Sequence, residues 1–260
     1  MNSRTHIYFA SDFHLGYPNS EESRIRELRI ITWLSAIQDT CKELYLLGDV
    51  FDFWYEYKWV VPKGYVRFLA KLAEFVDSGI PVYICKGNHD QWYQSYLEQE
   101  IGAIIFDEPI IKEYNSKLFY IHHGHALGKY DAGMNFLHSI FTSKFLQWCF
   151  SRIHPNTAFG IAHRWSAKNR KAKVYESAHY LGDSKEWLLL HAHDILKTQH
   201  IDYFIFGHRH IALNKQLTSK SRYINTGNWI TNTSYAMFDG TQLHLKIFMP
   251  DLFPEASIIY

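Results

Sequence analysis

Residues 77–90, DSGIPVYICKGNHD, hold a helix stop, a strand and a cluster of polar side chains in one short run. Apolar spacing predicts a helix from Tyr65 to Asp77, and Gly79 followed by Pro81 ends it. IPVYICKGN then reads as a strand with both faces buried, and Gly87-Asn88-His89-Asp90 stands where that strand stops. The same reading extends upstream. HIYFAS and ELYLLGD are two more buried strands, and between them residues 21–39 place Ile25, Leu28, Ile31 and Ile37 at helical spacing. The βαβα order predicts a sheet flanked by helices, an α/β fold.

Downstream the texture changes. Residues 126–200 suit helix and lack strand signals. DYFIFGH, the stretch near Leu213–Leu217, RYINTG, SYAMF and LHLKIF then predict a β-rich C-terminal end. At 260 residues and 47% hydrophobic, the chain can bury a sizeable core and is too apolar for disorder. No apolar run approaches the ~20 residues that cross a bilayer, and residues 1–10 lack the long apolar stretch of a secretion signal. Cys41, Cys85 and Cys149 are odd in number and widely spaced, against a disulfide framework and in favour of a reducing compartment. A net charge of +1 exerts no general pull on nucleic acid, which is not expected as a partner.

The composition stands out in its 16 histidines, and their order matters more than their number. Five short motifs each close a predicted strand: Ser11-Asp12-Phe13-His14, Gly48-Asp49, Gly87-Asn88-His89-Asp90, His122-His123-Gly124-His125 and Gly207-His208-Arg209-His210. Open α/β sheets place their sites at such strand ends. In extended backbone, residues i and i+2 share a side, so Asp12 with His14, and His208 with His210, are expected to converge. Glycines 48, 87, 124 and 207 permit tight turns and close approach. Any one motif alone reads more readily as a turn, a cap or a surface pair. Together Asp12, His14, Asp49, Asn88, His123, His208 and His210 offer mixed oxygen and imidazole donors without thiolate. That set suits Mn²⁺, Fe²⁺ or Zn²⁺ better than Ca²⁺. Seven donors exceed the needs of one ion; two ions bridged by a carboxylate would use them all, a phosphoester-hydrolysis arrangement. His191 and His193 lie on a predicted helix, where i and i+2 diverge, and are read as structural.

The ordered set DFH, GD, GNHD, HHGH and GHRH resembles the calcineurin-like metallophosphoesterases over nearly the whole chain. The resemblance implies a four-layer double β-sandwich flanked by helices, with the β-rich end supplying the second sheet. It also implies two divalent ions, manganese foremost. Asp12, His14, Asp49 and His210 would hold the first ion. Asp49 would bridge to the second, completed by Asn88, His123 and His208. His89 would protonate or orient the leaving group, with Asp90 fixing its imidazole, and Asn88 would join them in catalysis. A scaffold that has lost catalysis usually lacks several of these ligands, and here none is missing.

Residues 126–173 carry eight Lys or Arg and one acid, Asp131, among Phe136, Leu137, Ile140, Phe141, Phe145, Leu146, Trp148, Phe150 and Trp165. By composition this segment is either a lipid-facing cap or an ordinary helical subdomain. Within the superfamily, GDVFDFW (48–54), residues 77–90, YDAG (130–133) and TGNW (226–229) resemble the UDP-2,3-diacylglucosamine hydrolases of lipid A biosynthesis. That likeness implies one domain over 1–260 with a helical lid at 126–200. It further implies cleavage of the pyrophosphate of UDP-2,3-diacylglucosamine to UMP and a lipid monophosphate, at the inner face of the cytoplasmic membrane. Asn88, Asp131, Ser166, Arg170, Lys173 and His208 would contact the substrate. The chain departs from that family in reading Gly-Asn-His-Asp for Gly-Asn-Arg-Asp, His125 where Gly-Asp normally follows the His123 position, a larger Arg170, and Gly-Asn-Trp for Gly-Asp-Trp. Another nucleotide, pyrophosphate or phosphomonoester is the alternative substrate.

Overall fold

In the first strand, β1 (His6–Ala10), every residue after His6 is buried, and successive side chains leave for opposite faces. Tyr8 and Ala10 join an apolar cluster with Trp33 and Phe68, whereas Ile7 and Phe9 join another with Phe119 and Ile205. β2 (Cys41–Leu47) divides likewise, Leu44 and Leu46 against Tyr45 and Leu47. A strand apolar on both faces needs a covering layer above and below. The computed structural model, which describes residues 4–127, 132–162, 164 and 179–249, supplies both.

One layer is a helical pair, α1 (Ser20–Ile37) and α2 (Val66–Asp77), which packs Ile30, Trp33, Leu34, Phe68, Leu72 and Phe75 onto the outer face. Asn19 caps α1 by accepting from the Glu21 and Glu22 amides, and Glu27 of α1 accepts from the Phe68 amide in the first turn of α2. The other layer is a second sheet. β3 (Val82–Cys85) and β4 (Ile104–Phe106) extend the first sheet, while β5 (Ile110–Tyr114) and β6 (Lys117–Ile121) form a hairpin in the second. β7 (Tyr203–Phe206), β8 (Ala212–Gln216) and β9 (Arg222–Thr226) complete the second sheet, in order β5-β6-β7-β9-β8. β10 (Ser234–Phe238) and β11 (Leu243–Ile247) return to the first, in order β11-β10-β1-β2-β3-β4. Between positions 132 and 196 the described helices are α3 (Ala132–Phe141), α4 (Lys144–Ser151), residues 155–162 and α5 (Trp187–Leu196). α5 seals the outer face of the second sheet with Leu188, Leu189 and Ala192 against Phe204 and Phe206. The order helix, sheet, sheet, helix is the four-layer α/β architecture expected.

Three details differ from the sequence reading. The β-rich end does not all enter the second sheet, because β10 pairs antiparallel with β1, Ile7 opposite Phe238. The buried face of α1 is Arg26, Glu27, Ile30, Trp33, Leu34 and Ile37, and Ile25 is 54% exposed. Arg26 takes an inward position because its guanidinium donates to the carbonyls of His14 and Tyr17. The β5–β6 hairpin, which turns at Asn115-Ser116 with both residues at positive φ, adds a strand that the sequence reading does not include. Among the described residues no helix is long and apolar enough to cross a membrane.

Asp202 ties the second sheet together at its lower end, accepting from the Leu118 amide at 2.9 Å and the Lys117 ammonium at 3.2 Å. Burial alone would raise its pKa, but those donors outweigh it and hold the carboxyl below its usual range. Its stabilising effect is therefore present above the ordinary carboxylate value of about 3.9 and fades as pH falls below it. Asp202→Asn should cost on the order of 1 kcal/mol at pH 7, and urea midpoints of the two proteins should draw together progressively as the pH is lowered below about 3.9. A gap that stays constant or widens on acidification would refute this.

Candidate metal centre

Four motifs follow directly on the C-terminal ends of β1, β2, β6 and β7, and the third stands one residue, Lys86, beyond β3. The first two loops stay paired beyond their strands: the amides of Asp12, His14 and Leu15 donate to the carbonyls of Gly48, Asp49 and Val50 at 2.9–3.1 Å. Phe13 goes down among Trp33, Phe68 and Trp229, leaving Asp12 and His14 above. Asp12 and His14 converge, but not through extended backbone. Asp12, His14, Asp49, His208 and His210 all adopt positive φ, between 46° and 68°. Non-glycine residues in that region are costly and cluster at functional sites.

Two groups of side chains result. In the first, one ligand atom each from Asp12, His14, Asp49 and His210 lies within 4.8 Å of the others. His14 Nε2 is 3.1 Å from His210 Nε2, and Asp12 Oδ1 is 3.1 Å from His210 Nε2. In the second, Asn88 Oδ1 lies 3.1 Å from His123 Nε2 and 2.7 Å from His208 Nδ1. Asp49 joins them: its Oδ2 is 3.6 Å from His14 Nε2 and 3.6 Å from His123 Nε2. His208 and His210 therefore part company, one to each group, because the left-handed turn breaks the strand alternation.

The surroundings aim these atoms. His123 Nδ1 donates to the Leu47 carbonyl at 2.6 Å, which leaves Nε2 to face Asp49. Asp12 Oδ2 accepts from the Ser11 hydroxyl and the His208 amide, and Asp49 Oδ1 accepts from the His89 amide. Asn228 holds the His210 carbonyl. The loops approach so closely that a Cβ at Gly87 would meet Asp49 at 2.2 Å, and one at Gly207 would meet Asp12 Oδ2 at 2.7 Å. Burial would raise the Asp12 carboxyl, yet His210 and His14 hold it well below its usual range. Burial would lower His123, yet Asp49 and Asp12 raise it. Burial and His123 push His208 well below the imidazole range, toward the neutral form that binds metals.

Do these residues fit a divalent cation? Asp12 Oδ1 is buried without a hydrogen bond, and two imidazole nitrogens stand beside it at close range. A cation satisfies all three at once, and the oxygen and imidazole donors match a borderline divalent ion. The fit is good.

Asp90 departs from its expected task. Its carboxylate accepts from the amides of Asp49, Phe51 and Gly87 and from the Tyr93 hydroxyl, so it clamps the second and third loops and does not hold the His89 ring. Instead His89 Nδ1 donates to the Asp52 carbonyl at 3.1 Å. Asp52 Oδ1 lies 3.7 Å from both His89 Nδ1 and His14 Nδ1. Asp52 is a site residue absent from the expected set; an acid three residues after Asp49, in GDVFDFW, is the signal that the sequence offers for it. Groups behind a metal ligand tune it, and Asp52→Asn should weaken metal binding or turnover by about 10–100-fold. Titration with Mn²⁺ and steady-state rates would check this, and unchanged values in both would sink it.

Other histidines now have places. His122 donates from Nε2 to the Asp107 carbonyl and accepts from the Gly124 amide at Nδ1, and burial lowers its pKa to about 3. It is a neutral support behind His123. His125 is buried among His122, His123, His138 and His208. His191, on α5, contacts the Tyr120 hydroxyl at 3.1 Å. Asp131, Ser166, Arg170 and Lys173 lie outside the described residues.

A four-layer fold with this donor set at its strand ends defines a metal-dependent phosphoesterase, and the chain belongs to the calcineurin-like phosphoesterase family, whose signature spans residues 5–212. Among individual proteins it is 34% identical to the UDP-2,3-diacylglucosamine hydrolase of Porphyromonas gingivalis (strain ATCC BAA-308 / W83), covering 94% of this chain and 97% of that one. Proteins of the same name from Histophilus somni (strain 129Pt) and Haemophilus influenzae (strain ATCC 51907 / DSM 11121 / KW20 / Rd) are 23% and 24% identical. They cover 85% and 87% of this chain and 91% and 92% of theirs.

Proposed function

We propose that this chain hydrolyses the pyrophosphate of UDP-2,3-diacylglucosamine, releasing UMP and a lipid monophosphate, with two divalent ions of which manganese is the first choice. The end-to-end likeness to the P. gingivalis hydrolase carries the substrate. The position of Asp49 between two imidazole groups supports the pair of ions. In this reading Asp12, His14, Asp49 and His210 hold one ion, and Asp49, Asn88, His123 and His208 hold the other. The chemistry such ions supply when bound is polarisation of phosphoryl oxygens and a lowered pKa for water. Asn88 and His208 also orient the phosphate. His89, its Nδ1 held by Asp52, keeps Nε2 to give a proton to the departing oxygen.

Residues 126–200 act as a lid on a single domain spanning 1–260, and Asp131, Ser166, Arg170 and Lys173 reach the glucosamine and phosphate. α4 supports a lipid-facing role, with Phe145 68% and Trp148 53% exposed and the Arg152 guanidinium 4.9 Å from the Trp148 ring. Exposed aromatics beside cations suit an anionic membrane surface, here the inner face of the cytoplasmic membrane. The double variant Phe145→Ser/Trp148→Ser should float at least severalfold less with phosphatidylglycerol-containing vesicles than the wild type. Equal flotation would refute the lipid-facing assignment.

The deciding assay supplies UDP-2,3-diacylglucosamine to Mn²⁺-loaded protein and follows UMP by chromatography. UMP should appear, vanish with chelator and return with Mn²⁺. Hydrolysis of aryl phosphates without UMP release from the lipid would overturn the substrate and point to another phosphoester.

A further inference from the structure

We infer that Arg209 is a positioning residue for the second ion, acting through its buried pairing with Glu186. The inference rests on the two-ion reading above. Arg209 sits between His208 and His210, which belong to different groups and both take left-handed backbone conformations, φ 68° and 54°. Its amide closes a tight turn onto the Gly207 carbonyl at 2.7 Å. Both ends of this loop are tied down: the His208 amide to Asp12, the Gly207 carbonyl to Asn225 and the His210 carbonyl to Asn228. The middle is held from outside. Arg209 donates from Nε to Glu186 Oε2 at 3.0 Å and from Nη2 to Glu186 Oε1 at 3.1 Å, a two-pronged pairing with side-chain exposures of 11% and 3%. A further Nη2 contact reaches the His179 carbonyl.

Glu186 occupies the N-cap position of α5, and its Oε1 also accepts from the Leu181 amide. The next residue, Trp187, sets its ring edge-on to the His208 imidazole, with centroids 5.7 Å apart. The pair Glu186-Trp187 therefore grips the loop through Arg209 and leans on His208 directly. Among the described residues the His210 ring packs against that of His14, on the side of the first group. Loosening the grip should shift His208 more than His210, so the second ion should suffer and the first should not. The same contact links the second ion to residues 179–186, which lie within the segment 126–200.

Arg209→Lys keeps the charge but cannot reproduce the fork. Titrated calorimetrically with Mn²⁺ after chelation, it should bind the first ion within threefold of wild type and the second at least tenfold more weakly. Arg209→Met/Glu186→Gln removes the pairing without leaving a buried charge alone. This double variant should melt close to wild type yet keep the weakened second step, which separates positioning from bulk stability. Wild-type affinity for both ions in either variant overturns the inference. A wild-type protein that takes up fewer than two ions overturns the two-ion reading and the inference with it. Because metal uptake is read directly, a wrong lipid substrate leaves the test intact.

Discussion

Asp49→Asn is expected to lower hydrolysis by about 10³-fold while the protein still folds. The amide matches the carboxylate in shape, and its oxygen can still accept from the His89 amide as Oδ1 does now. What it loses is the negative charge placed 3.6 Å from an imidazole of each group. Without that shared charge, two cations at close range repel with little to offset them. Elemental analysis should find well under two ions per chain, and far-ultraviolet circular dichroism should be unchanged. Full metal content with full activity would mean that Asp49 does not bridge, and the two-ion reading would fall.

Trp229→Ala is expected to destabilise the protein by about 3–5 kcal/mol. The ring is fully buried, with Phe13 at 5.3 Å, Trp33 at 5.1 Å and Phe248 at 6.2 Å between centroids. These residues come from the first metal-bearing loop, α1 and the chain beyond β11, so no single neighbour can move in to fill the space. The Trp229 amide also donates to the Asp12 carbonyl at 3.1 Å, beneath the carboxylate. Trp229→Phe keeps an aromatic plug and should recover more than half of the loss. Equilibrium urea unfolding measures both, and a cost below about 1 kcal/mol for the alanine variant would show that the cavity collapses.

The layered fold was legible because its information is local. Tyr8 and Phe9, or Leu46 and Leu47, declare a strand buried on both faces wherever they occur. Gly79 and Pro81 stop a helix whatever surrounds it. The members of the site were legible for a similar reason, since each motif follows its strand directly or, for the third, after Lys86. What could not be read was which atom meets which. His208 and His210 part because of their backbone angles, which no residue-type pattern shows. Asp52, not Asp90, meets His89 because the four donors around Asp90 come from the loops after β2 and β3, which fold together around its carboxylate. Ile25 looked apolar enough to be buried, but Arg26 and Glu27 had partners in the loop after β1 and in α2. The placement of β10 in the first sheet likewise depends on a partner more than two hundred residues away.

That last pairing has a consequence for how the protein is made. β1 is an inner strand, bounded by β2 on one side and β10 on the other, with Ile7 opposite Phe238. Until residue 238 has left the ribosome, β1 keeps one bare edge, open to mispairing with other chains. Contacts so distant in sequence also slow folding. The first motif, on the loop after β1, therefore waits for β10. Nascent chains ending before residue 234 should be prone to aggregation and poor at retaining metal, even though they already carry all seven ligand residues.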